Sequence, residues 1–312
     1  MKRSVLTAIS IVFLLSSCEK TDKKSDNISI EETINQAFLE QIEYSNLVDK
    51  KSQDEVRQAL LNGGISEENI DDFLENVNYF NKIAGDAKLV KEGFVKSSEI
   101  KPEYDEAKIQ ENWEAKFPVF PGYNCRITSF GLMNDFMSIG KPQNAHSKNL
   151  FIDKDAISTS PKKIFDDSQR ENFLCLFSSI PTELHKDISK HLEVVKKAFS
   201  ERQVRFKFKG NSNKASMISV FIHSAITPEE SNVFIGHIGV LTPTSDGKLM
   251  FIEKLAFQEP YQATKFNNRT ELNDYLMNRY DNEKGQPTAK PFILENDELL
   301  EGYRPNPNNI EH

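Results

Sequence analysis

Long apolar runs are almost missing from this chain of 312 residues: the longest, Val5 to Leu15, is well short of the roughly 20 residues a membrane-spanning helix needs, which disfavours a permanent transmembrane segment there. Basic runs are missing too. Lysines and arginines gather in nothing longer than short pairs, and the formal charge is -8 with a pI near 5.4, which argues against a nucleic-acid or anionic-membrane surface. No glycine-rich phosphate loop occurs, and no histidines or carboxylates stand at metal-ligand spacing, so no cofactor and no metal are expected. Internal repeats are absent, and cysteine is scarce, with three in all. What is present suffices for a globular core, since 38% of residues are hydrophobic and 10% aromatic.

The N-terminus has the layout of an export signal. Lys2 and Arg3 precede the apolar run, and Ser16-Ser17-Cys18 closes it with small residues. Leu15-Ser16-Ser17-Cys18 resembles the bacterial lipobox. That resemblance implies cleavage after residue 17, acylation of Cys18, and a protein of the cell envelope held on a membrane by its N-terminal lipid, where each buried methylene contributes about 0.8 kcal/mol. Residues 18–29 are charged and free of aromatics, a composition that reads as a flexible tether.

From 30 to 118 the pattern is helical. Ser52-Gln53-Asp54-Glu55 fits a capping box and Gly63-Gly64 a helix stop. From about Glu67, Ile70, Phe73, Leu74, Val77, Phe80 and Ile83 recur as one buried stripe. Phe117-Pro118-Val119-Phe120-Pro121-Gly122 enforces a loop, taken as a boundary, and 119–312 forms the second region. There the spacing predicts helices over Cys125 to Met137, Pro161 to Ser178 and Thr182 to Arg202. Short β-branched and aromatic runs then predict antiparallel strands at Gln203 to Lys209, Ser216 to Ser224, Val233 to Leu241 and Lys248 to Phe257. A helix at Arg269 to Tyr280 and an apolar stretch at Phe292 to Leu294 follow. The fold class is α+β.

Chemistry concentrates at Cys125. It stands where a tight loop enters an amphipathic helix, and both the amides and the dipole of a helix start favour a thiolate. Cys175, in Asn172-Phe173-Leu174-Cys175-Leu176-Phe177, reads as an inert core thiol. Two cysteines beyond Cys18 in an oxidising compartment also permit a Cys125-Cys175 disulfide, which would leave a surface lipoprotein that binds a peptide or glycan without catalysis. Among six histidines, His237 is distinguished by Gly236-His237-Ile238-Gly239, a polar residue in an apolar strand with glycines that allow close approach. Glu253, on the following strand, shares a face with His237 only if Ser245-Asp246-Gly247 forms a three-residue loop; a two-residue Asp246-Gly247 turn would put it on the other face.

The order of a cysteine at a helix start, a histidine in a Gly-His-Ile-Gly-Val strand and a polar residue on the next strand resembles the NlpC-type branch of the papain-like cysteine peptidases. This implies a papain-like α+β domain whose antiparallel sheet packs on the cysteine-bearing helix. It further implies hydrolysis of amides in peptidoglycan or related peptides, with Cys125 as nucleophile, His237 as base then acid, and Glu253 orienting the ring. Tyr44-Ser45-Asn46-Leu47-Val48, Asn124-Cys125-Arg126-Ile127 and Glu259-Pro260-Tyr261 resemble domain-of-unknown-function family 4300, which implies no activity.

Overall fold

Single polar residues set the helix starts. In the computed structural model, which describes residues 37–143 and 146–309, Asp49 caps α1 (Lys50–Gly63), its carboxylate accepting from the Ser52 amide at 3.1 Å. Ser66 caps α2 (Glu67–Ala84) and Asp105 caps α3 (Glu106–Lys116). Asn124 caps α4 (Cys125–Met133). A short 3-10 turn leads into α5 (Phe151–Thr159). Asp166 and Gln169 form a reciprocal capping box on α6 (Asp167–Phe177), Asp187 caps α7 (Ile188–Arg202), and Asn268 caps α8 (Arg269–Tyr280). Each cap satisfies an amide that the first helical turn leaves without a partner. The expected signal peptide, the expected tether with Cys18 and the terminal His312 lie outside the described residues.

Eleven strands accompany these eight helices among the described residues: β1 (Ile42–Ser45), β2 (Val95–Ser97), β3 (Met137–Ile139), β4 (Ile180–Pro181), β5 (Val204–Phe206), β6 (Ser216–Ala225), β7 (Ser231–Pro243), β8 (Leu249–Lys254), β9 (Tyr261–Phe266), β10 (Phe292–Glu295) and β11 (Glu298–Leu299). Nine make one antiparallel sheet in the order β11-β10-β6-β7-β8-β9-β1-β2, with β4 pairing β7 off that path. β3 and β5 form a separate ladder. The α+β class is thus observed, and no helix among the described residues is long and apolar enough to cross a membrane.

Several expected boundaries move for identifiable reasons. The Ser52 capping box lies inside α1, because Asp49 supplies the cap one turn earlier. The stretch expected to be helical up to residue 118 contributes β1 and β2, which extend the sheet beyond β9. The helix expected from Cys125 to Met137 stops at Met133, and Met137 pairs with Phe206 in a strand. The helix expected from Pro161 begins only at Asp167, and the one expected from Thr182 only at Ile188, each where an aspartate cap is available. β9 was not expected at all, since its Gln262 and Thr264 break the apolar pattern although both are fully buried.

One apolar cluster joins the two regions. Phe73, Val77 and Phe80 of α2 belong to the same core as Ile127 and Phe130 of α4 and Val240, Ile252 and Tyr261 of the sheet. Tyr261 makes T-shaped contacts with Phe73 and Phe80 at ring separations of 5.7 and 5.6 Å, a favoured aromatic geometry.

Candidate functional site

The loop before α4 is fixed by the ring of Trp113. Its Nε1 donates to the Phe120 carbonyl at 2.9 Å. Gly122 lies under the ring with φ +93°, where an added Cβ would stand 3.2 Å from it, so both the backbone angle and the contact select glycine. The chain then delivers Asn124, whose side chain accepts from the Ile127 amide at 3.0 Å and donates to Asp153 Oδ1 at 2.7 Å. Arg126 grips the same carboxylate with two parallel bonds of 2.9 and 2.7 Å. Asp153, fully buried, therefore holds the residues on both sides of Cys125.

The start of α4 enters a gap in the sheet. Along one edge of β7, β4 pairs up to Val233 and β8 begins at Val240, leaving the residues between without a strand partner on that side. Arg126 donates to the Ile235 carbonyl at 3.3 Å and Ser129 to the Ile238 carbonyl at 3.2 Å, so helix side chains satisfy backbone groups that a strand would otherwise take. On the opposite edge the β6 ladder slips, since Val220 faces His237 while Phe221 faces Ile235. Such a bulge, here at Gly236, re-aims the next side chain. A Cβ at Gly236 would meet Ile222 at 2.3 Å, and one at Gly239 would meet Phe251 at 2.3 Å; both glycines serve close approach.

β7 and β8 take the register of the three-residue loop. Thr244 and Lys248 close it through a 2.9 Å backbone bond, Gly247 has φ +82°, and Leu241 stands opposite Phe251. That register brings His237 and Glu253 onto one face. His237 Nε2 donates to Glu253 Oε2 at 2.5 Å, and the imidazole lies close enough to the Cys125 sulfur for each to shift the other's titration. With Nε2 held by the carboxylate, Nδ1 is the ring atom left for sulfur. Cys125, His237 and Glu253, far apart along the chain, form one contiguous buried set.

The charges in this set reinforce one another. Burial pushes the Cys125 thiol up, yet the charge of His237, its hydrogen bond and the nearby Arg126 hold it below the ordinary thiol range, against Asp153. Burial disfavours protonation of His237, but Cys125 and then Glu253 outweigh it and raise the imidazole to about 9. Both directions favour a thiolate beside an imidazolium over the neutral pair. Tyr280 stacks on the imidazole at 5.0 Å and 24°, fixing its plane.

A second layer, not expected from the sequence, stands behind the carboxylate. Tyr275 of α8 donates to Glu253 Oε1 at 2.7 Å and accepts from Gln262 at 2.8 Å. Gln262 accepts from Tyr104 at 2.7 Å, and Tyr104 accepts from Asn46 at 3.0 Å. Every donor in this line points toward Glu253. Burial, then the carboxylate, push the Tyr275 hydroxyl well above its usual range, so it stays a donor. The one sequence signal was a glutamine and a threonine breaking an apolar strand. Lys254, one residue on and facing the other side of β8, is also buried, and donates to the carbonyls of Ala256, Phe257 and Glu259.

The remaining candidates fall elsewhere. Cys125 and Cys175 are both free; the Cys175 sulfur accepts from the Gln143 amide at 3.2 Å, so the disulfide considered above is not formed. His185 stacks on His191 at a ring separation of 4.3 Å, and His191 meets His223 at 4.2 Å with the rings tilted by 53°. Among the described residues no group of histidine, cysteine or carboxylate side chains could hold a metal ion. The family model described as Domain of unknown function (DUF4300) matches residues 43–300. No curated protein and no solved structure matches the chain.

Proposed function

We propose, on the premise that this chain belongs to the DUF4300 family, that it is a lipid-anchored cysteine hydrolase of the cell envelope. It cleaves amide bonds in cell-wall peptides or related peptides. The observation that carries this reading is the convergence of Cys125 at a helix start with the hydrogen-bonded His237-Glu253 pair in one buried set. A helix-start cysteine against an antiparallel sheet, with sulfur on one ring nitrogen and an acceptor on the other, is the arrangement a papain-like, NlpC-type domain requires. This supports that fold assignment.

The chemistry follows from the charge states. The Cys125 thiolate attacks the amide carbonyl carbon, forming a C–S bond and placing negative charge on the carbonyl oxygen at the positive end of α4. Collapse breaks the C–N bond as His237 gives its proton to the leaving amine, which yields a thioester. A water then attacks the thioester while His237 takes its proton. The C–S bond breaks, the acid departs, and the thiolate-imidazolium pair is restored. Glu253 keeps the ring oriented throughout, as the third member of such sets does. The Lys2-Arg3 and Val5 to Leu15 pattern with Cys18 supports export and acylation.

The test is hydrolysis of peptidoglycan fragments and fluorogenic peptide amides by the mature protein, with N-terminal mass analysis of the processed chain. Expected are turnover reduced at least about a thousandfold by Cys125→Ala, a thioester adduct on Cys125, and a lipid-modified Cys18. Turnover unchanged by Cys125→Ala, or no turnover of any amide, would overturn the hydrolase reading.

A further inference from the structure

A cavity of about 230 Å³ lies beside the start of α4, on the opposite side of the sheet from the Tyr275-Gln262 line. Its walls are aromatic: Tyr79, Phe80, Trp113, Phe120, Tyr123 and Tyr261. Phe120 and Tyr123 belong to the loop that delivers Cys125, five and two residues ahead of it. The opposite wall comes from residues adjoining the Glu253 relay, since Lys254 follows Glu253 and Tyr261 precedes Gln262. Because side chains alternate across a strand, the relay pair and the cavity pair face opposite ways.

The cavity offers a ligand almost no charge. The Lys254 Nζ, which burial lowers to about 7, lies over the Phe80 ring at 4.0 Å and the Tyr261 ring at 5.2 Å and donates to loop carbonyls. At the mouth, Lys162 is already paired with Glu75 at 2.6 Å. Tyr79, 41% exposed, forms a lip there, its ring edge-on to Trp113 at 6.4 Å. The volume is below the roughly 300–1,000 Å³ of sites that enclose a drug-sized ligand, so it suits one side chain rather than an extended glycan or a whole peptide.

We infer that this aromatic cavity is a substrate subsite that takes one bulky uncharged side chain, aromatic or branched aliphatic, of the peptide presented to Cys125. The inference rests on the proposed hydrolase reading for the identity of the reaction, though not for binding. It narrows the substrate class: peptides built only from alanine and acidic residues leave the cavity empty, and a peptide carrying phenylalanine or leucine fills it.

Trp113 is the single tryptophan of the chain and lines the cavity, so intrinsic fluorescence reports occupancy directly. The experiment titrates the mature chain carrying Cys125→Ala, in which no turnover can interfere. The probes are the N-acetyl amides of phenylalanine, leucine, alanine and glutamate, together with N-acetylglucosamine. Saturable changes are expected with the phenylalanine and leucine amides, with the alanine and glutamate amides at least about tenfold weaker, as expected for methylenes lost from an apolar pocket. Tyr79→Ala, at the exposed lip, should weaken the phenylalanine amide at least about threefold without moving the thermal midpoint by more than a degree or two. Failure of both apolar amides to saturate, an equal response to alanine or glutamate, or preference for N-acetylglucosamine would each overturn the assignment. Since this readout needs no catalysis, absence of hydrolysis by the native chain would refute the enzyme reading alone.

Discussion

At the residue scale, reactivity turns on the charge that Cys125 carries at rest. Its thiol is held below the ordinary range chiefly by His237, so the midpoint of its alkylation by iodoacetamide should fall below the ordinary thiol pKa of about 8.5. In His237→Gln the midpoint should return to about that value or above it, because burial then acts unopposed by the ring. Peptide mass spectrometry resolves Cys125 from the buried Cys175; equal midpoints in both proteins would mean that no ion pair forms. Cys125 and His237 were legible in the sequence because each sits at a place that demands a reason, a helix mouth and a glycine-flanked strand. Glu253 was legible only through the register. Tyr275, Gln262, Tyr104 and Asn46 were not, since hydrogen-bonded polar side chains look in sequence like surface residues until burial is known.

At the scale of elements, β7 works because two glycines let its neighbours close in. Gly239→Ala would drive a methyl into the Phe251 ring and to 2.8 Å from the Ile252 carbonyl, and backbone cannot swing aside as a side chain can. A loss of about 1–3 kcal/mol in urea unfolding is expected, with turnover falling as His237 shifts; a change within about 0.5 kcal/mol would mean the strand pair tolerates the methyl. Helix ends were readable wherever a capping residue adjoined an apolar stripe, as at Ser66 and Gly64. They were misread where several aspartates and serines competed, as between Asp49 and Ser52 or between Thr182 and Asp187. β9 escaped because period-two alternation fails when the polar members of a strand are themselves buried.

Across the whole molecule, the histidine cluster gives the fold a built-in sensitivity to acid. His223 accepts from the Ala289 amide at 2.9 Å and bonds Ser231 at 2.8 Å. Burial, then His191 and His185, lower it from 6.5 to about 4. The unfolded chain therefore takes up a proton between those values that the folded chain refuses, so stability declines as pH falls through that interval. Calorimetry should show the melting temperature dropping from pH 6.5 to 4. His223→Asn, which keeps an acceptor for the Ala289 amide, should flatten that slope; parallel slopes would place the acid sensitivity elsewhere.

Asn46 occupies the far end of the donor line, at the exit of β1, the first strand of the described fold. Its side chain also receives the Val90 amide and reaches the Tyr261 carbonyl. A form of the protein clipped just beyond this point would retain all three reactive side chains, yet the hydroxyl of Tyr104 would lose the partner that aims it. The entry strand of the fold thus bears on how a sulfur distant from it behaves.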